Sequence, residues 1–195
     1  MRKTKINQRI LILCEGQTEW IYANELKCSL PREIRNSISV EIEHTQGGNP
    51  KNLVEKAVIK KRAAIRERNR YNEIWVFFDN DNCQNLDKIF KNLEEENIKF
   101  AYTSLCIEHW FILHFERCGR AFQSGEEAQK HLKNIWKDYH KTNIRHYSYL
   151  LDKLDTAINN AEVLNKISEK NFNMTHEQNP YFTIPELIKK FKSLK

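Results

Sequence analysis

The sequence predicts an α/β fold: a mostly parallel sheet flanked by helices, followed by a helical C-terminal extension. Three observations predict it. Two continuous apolar runs, RILILC at 9–14 and EIWVFF at 73–78, suit strands covered on both faces, as in parallel sheets. Strand-like and helix-like segments alternate up to residue 103, the pattern of βαβ units. Beyond residue 104 every periodic segment reads as helix.

Residues 9–14 form the first buried strand, which stops at Glu15-Gly16. A helix then spans about 18–30, with Thr18 as N-cap and Pro31 as its stop. SISVEIEH at 37–44 alternates apolar and polar residues, so it reads as a half-buried strand. Gly47, Gly48, Asn49 and Pro50 make a loop. A helix over 51–71 has Leu53, Ala57, Ala64 and Ile65 for its core stripe. The strand at 73–78 stops at Asp79. A helix over 86–96 and a short strand over 99–103 complete the alternation. Four helices follow, over 107–115, 126–139, 150–170 and 184–194. The chain thus divides into an α/β core, residues 1–118, and a helical extension, residues 119–195, packed on it. Residues 104–106 are only a seam, because 107–115 packs on the sheet.

With 195 residues, 40% of them hydrophobic, the chain can bury one sizeable core. Five glycines and four prolines exclude collagen-like and low-complexity architectures. No apolar run approaches the roughly 20 residues of a membrane span, and the run at 10–14 is too short for a secretory signal. The expectation is a soluble, cytoplasmic protein with no membrane partner. Cys14, Cys28, Cys83, Cys106 and Cys118 are odd in number and contain no CxxC pair, which argues against a disulfide framework and a zinc ribbon. The net charge of +6 suits a polyanionic partner without identifying one.

The acids carry the functional signal. Glu15 follows the first strand; Asp79 and Asp81 follow the strongest one. Ligand sites of parallel α/β sheets form at the carboxyl ends of strands. Two such loops bring Glu15, Glu19, Asp79 and Asp81 towards one rim, and Gly16 permits the sharp turn after Glu15. Convergent carboxylates repel one another unless a hard divalent cation neutralises them. From Asp79 and Asp81 alone, a strand running into an Asx turn is the competing reading.

The segments CEGQTE (14–19), IWVFFDND (74–81), YTSLCIEHWFILHFE (102–116) and NPYFTIPELIKKF (179–191) resemble, in order and spacing, the RloB-like family. That family includes the AbiLii abortive-infection proteins and looks like a branch of the Toprim superfamily. The resemblance implies a Toprim-like Rossmannoid core and a nuclease that depends on Mg²⁺ or Mn²⁺. Glu15 would then be a metal ligand or the general acid/base, Asp79 and Asp81 the DxD ligands, and Glu19 a holder of a second metal. The implied setting is prokaryotic antiphage defence, with DNA or RNA as substrate and a partner ATPase. Two motifs depart from the family. SLCIE at 104–108 lacks the Asn-Pro of SNPCFE, and Tyr181-Phe182 replace the small polar pair of NPSTTV.

Glu108 follows the fourth strand, so it serves either as a ligand at the rim or as a helix N-terminal glutamate favoured by the dipole. His114, in WFILHF, reads as a core histidine. Lys61, Arg62, Arg66 and Arg70 make a basic stripe that could track a phosphate backbone, although a charge run is more often a solvated face. The cluster His140, Arg145, His146 and Tyr147 has the same two readings. No GxxxxGK[ST] is present, so the chain is not itself a P-loop ATPase. A nuclease is therefore expected, with a non-catalytic nucleic-acid-binding or regulatory subunit as the alternative, and a homo-oligomer is left open.

Overall fold

In the computed structural model, which describes residues 8–45, 49–80, 83, 85–142, 146–172 and 174–194, both long apolar runs are central strands. They are β1 (Gln8–Cys14) and β3 (Glu73–Asp79), with β2 (Ile38–His44) and β4 (Lys99–Thr103) outside them. The strand order is β2-β1-β3-β4 and every pairing is parallel. Asp81, Gly47, Gly48 and Arg145 lie outside the described residues.

Both faces of the central strands are covered, which is why neither run alternates. Ile10, Ile12, Cys14, Trp75 and Phe77 point into one apolar cluster; Leu11, Leu13, Ile74, Val76 and Phe78 point into the other. The first cluster is closed by α1 (Gln17–Cys28), α5 (Ile107–Ile112), α6 (Gly125–Ile135), α7 (His146–Leu150), α8 (Leu154–Asn171) and α9 (Ile184–Lys192). The second is closed by α3 (Pro50–Arg66) and α4 (Leu86–Glu95). The alternating segment is the edge strand β2, where Val40 alone is fully buried.

The helix boundaries differ from the sequence reading where local chemistry intervenes. Thr18 does not cap α1. Gly16 is the N-cap, and the Glu19 carboxylate accepts the Gly16 amide from the third helical position, as in a capping box. Pro31 does more than stop α1: it opens a short helix, α2 (Arg32–Ser37), absent from the sequence reading. Helix α3 ends at Arg66 rather than near 71, because Arg68 turns the chain at φ 55°. The segment expected as one helix over 150–170 breaks into α7, a 3₁₀ turn at Leu151–Lys153 and α8.

Core residues from both sides of residue 118 share one cluster, Ile12 and Trp110 with Leu154 and Phe191. Among the described residues no helix is long and apolar enough to cross a membrane.

Candidate active site at the carboxyl ends of β1 and β3

Helix α1 leaves β1 over one face of the sheet, whereas α3 and α4 flank β3 over the other. The chain therefore diverges between β1 and β3, and a crevice opens at their carboxyl ends. This is the topological switch point where open α/β sheets bind ligands. Glu15 and Asp79 are the residues found there. The Glu15 amide donates to the Phe77 carbonyl (2.9 Å), and the Asp79 amide donates to a Glu15 carboxylate oxygen (3.3 Å). The loop after β2 is tied in as well, since the Thr45 amide donates to the Cys14 carbonyl (3.0 Å).

Alternation along β3 turns Asp79 to the side of Phe77, where α1 and α5 lie. Glu108, the second residue of α5, meets it there. Asp79, Cys106, Glu108, Ser124, Gly125 and Lys141 line one cavity of about 500 Å³. Glu108 is 2% exposed; it accepts a hydrogen bond from the Tyr139 hydroxyl (3.0 Å) and faces the Lys141 ammonium at 3.8 Å. Lys141 reaches the rim from the loop after α6, held through its carbonyl by the Thr18 hydroxyl (3.3 Å). Burial works to lower its pKa, but Glu108, Glu19 and Asp79 outweigh that and raise it.

Glu19 completes the group from below. A Cβ at residue 16 would lie 2.7 Å from a Glu19 carboxylate oxygen, so glycine is what lets this side chain fold back over the turn. Glu19 is 6% exposed, and burial pushes its carboxyl up to about 7. Its own backbone hydrogen bonds oppose the rise, and the Glu108 charge adds to it. Glu15, Asp79, Glu19 and Glu108 offer only hard carboxylate oxygens, the donor chemistry of a hard divalent cation, and two of them are buried; among the described residues no three of them gather within 4.8 Å of one another.

The model of the RloB-like protein family matches residues 10–191, nearly the whole chain. The chain belongs to the RloB-like protein family. No curated protein and no solved structure matches it. In this RloB-like chain the third and fourth motifs meet each other at Ser104. The Ser104 amide donates to the Tyr181 carbonyl (3.0 Å), the Ser104 hydroxyl donates to Asn179 (3.2 Å), and the Tyr181 amide donates to the Ser104 hydroxyl (2.9 Å). A bridge between Thr103 and Phe182 continues the pairing along the edge strand β4. Ser104 and NPYF are therefore one strap, while Leu105, Cys106 and Glu108 of the third motif line the rim cavity.

The basic stripe does not reach this RloB-like site. Helix α3 runs back along the sheet, and Lys61 and Arg62 meet Glu96, which lies between the end of α4 and the start of β4. Lys61 and Arg62 are paired with Glu96 (3.1 and 3.0 Å), and Arg70 lies beyond the helix. His146 and Tyr147 are not a surface cluster: both are buried, with His146 packed on Phe111 and Trp136. His114 is a core histidine, 2% exposed. The residue that sequence reasoning missed is Lys141. It stands in a loop without periodicity, between His140 and Thr142, and nothing in HKT singles it out.

Proposed function

We propose that this protein is a cytoplasmic, metal-dependent nuclease of Toprim type that hydrolyses phosphodiester bonds of DNA or RNA in prokaryotic antiphage defence. The observation that carries the reading is the convergence of Glu15 and Asp79 at the β1/β3 switch point, with Glu108 and Lys141 in the adjoining cavity. The defence setting and a partner ATPase are what the resemblance to the RloB-like family implies.

Glu15 and Asp79, with Asp81 from the sequence motif, are the residues that would hold Mg²⁺ or Mn²⁺. Such a cation would supply Lewis-acid polarisation of the phosphoryl group and offset charge on the leaving oxygen. Where Glu15 is not itself a ligand, it would take the proton of an attacking water. Lys141 pairs with a non-bridging phosphate oxygen, and Glu108, with its Tyr139 hydrogen bond, keeps that ammonium in place. Glu19 holds the turn that presents Glu15, through its bond to the Gly16 amide. A second metal at Glu19 gains less support, because this carboxylate already caps α1.

The test is cleavage of DNA and of RNA, including tRNA, with Mg²⁺, with Mn²⁺ and with chelator, by wild type and Asp79→Asn. Metal-dependent cutting that falls at least about 10³-fold in the mutant is expected, a loss of some 4 kcal/mol of transition-state stabilisation. Equal cutting by a folded Asp79→Asn would remove this acid from the mechanism. Binding without cutting under any metal, with and without the partner ATPase, would favour a non-catalytic subunit.

A further inference from the structure

A second donor cluster lies outside the acid rim, on the connection between α5 and α6. One oxygen of Glu116, the Cys118 sulfur and one nitrogen of His131 all lie within 4.8 Å of one another. The His131 Nε2 and Glu116 Oε1 are 2.7 Å apart, sharing one proton where both would otherwise face a cation. Cys118 is 8% exposed, and its backbone is fixed from below, where the buried His109 Nε2 pairs with its carbonyl (2.9 Å). His131 projects from α6 and Glu116 is exposed, so a dissolved ion can reach the cluster.

The chemistry of these donors differs from that of the rim. A thiolate, an imidazole and a carboxylate suit Zn²⁺, whereas Mg²⁺ takes oxygen ligands. Tetrahedral Zn²⁺ with bonds of about 2.0–2.3 Å sets its ligands some 3.4–3.7 Å apart. The widest separations must therefore close by about 1 Å while the His131–Glu116 pair, at 2.7 Å, opens by about 0.7 Å, movements that the exposed Glu116 side chain can supply. Three protein ligands leave a fourth position for water.

We propose that Glu116, Cys118 and His131 form a Zn²⁺ site that pins the α5–α6 connection to helix α6. The consequence for the rim follows from the fold. Ser124 caps α6, and the first turn of that helix, through Gly125, Glu126 and Gln129, walls the acidic cavity. A cation that clamps residues 116–118 to His131 fixes the start of the same helix. On binding, the Cys118 thiol loses its proton to solvent, and the neutral His131 ring carries its one hydrogen on Nδ1 so that Nε2 can face the metal.

Reduced, metal-stripped full-length protein titrated with Co²⁺ tests this. One equivalent should bind with a thiolate-to-cobalt charge-transfer band in the near ultraviolet. The band should be displaced by Zn²⁺, untouched by excess Mg²⁺, unchanged in Asp79→Asn and absent in Cys118→Ser. His131→Gln, on a partly exposed helix face, should weaken binding at least about tenfold while the thermal transition is retained. Zn²⁺ at 100 times its dissociation constant should raise the wild-type Tm by about 5–10 °C. No band at one equivalent, or a band that survives Cys118→Ser or is as tight in His131→Gln, would overturn the proposal. None of these readouts depends on cleavage, so the site stands or falls apart from the nuclease reading.

Discussion

Lys141 sets a positive charge among Glu19, Asp79 and Glu108, in a cavity otherwise rich in carboxylates. If its ammonium meets the phosphate, Lys141→Met should lower cleavage by about 10²-fold with little change in fold, as when one preorganised donor is removed. Single-turnover cleavage at saturating metal checks this, and an unchanged rate would reduce Lys141 to a counter-ion of Glu108. Buried histidines bear on acid stability, His109 and His114 alike. Burial lowers the His114 pKa to about 4, against the pull of the Trp110 carbonyl. The unfolded chain takes up this proton near pH 6.5, so between 6.5 and 4 it binds more protons than the folded chain. Stability from His114 is therefore complete above pH 6.5 and lost as pH falls towards 4, by about 3 kcal/mol. Urea unfolding at pH 7 and 4.5 should show wild type losing more stability than His114→Gln; equal losses would contradict the assignment.

At the scale of elements, the least legible feature is the strap over β4. Helix α8 holds it with side chains that act as backbone partners. The Asn165 amide donates to the Phe182 carbonyl (2.7 Å) and its oxygen accepts the Phe182 amide (2.9 Å), while the Ser168 hydroxyl donates to the Pro180 carbonyl (2.7 Å). Asn165→Ala leaves both Phe182 groups without these partners and should cost about 2 kcal/mol, read as a lower urea midpoint at constant slope. A change under about 0.5 kcal/mol would mean that the strap holds without α8. Pairing between residues some eighty positions apart leaves no periodic trace, so NPYF was visible as a motif and invisible as a strand partner. By contrast, β1 and β3 were legible because burial on both faces demands unbroken apolar runs. The edge strand β2 was legible for the opposite reason, since only one of its faces is buried. Helix α2 escaped because six residues, REIRNS, are too few to display a helical period.

Across the whole molecule, acids stand at both ends of the sheet, but those at the amino ends, Glu73 and Glu96, are paired with lysine or arginine. The rim acids stand at the carboxyl ends of the strands, and the stripe of Lys61, Arg62 and Arg66 lies at the other end, partly spent on Glu96. That separation was not readable from composition, because it depends on which way α3 runs against the sheet. The rim acids were readable because each follows an apolar run that can only be a strand, whereas Lys141 depends on how a remote loop folds over α1. Arg62→Glu with Arg66→Glu should therefore change nucleic-acid affinity less than about threefold at physiological salt, where the Debye length is about 8 Å. A loss of tenfold or more in a binding titration would place the nucleic acid along α3 instead. The central claim is that the β1/β3 rim is a hard-cation site, and Mn²⁺ binding followed by electron paramagnetic resonance tests it most directly. Wild type should bind Mn²⁺ in competition with Mg²⁺, and Glu15→Gln and Asp79→Asn should each weaken that binding at least about tenfold, or some 1.4 kcal/mol. Binding of the same strength in both folded variants would contradict the account.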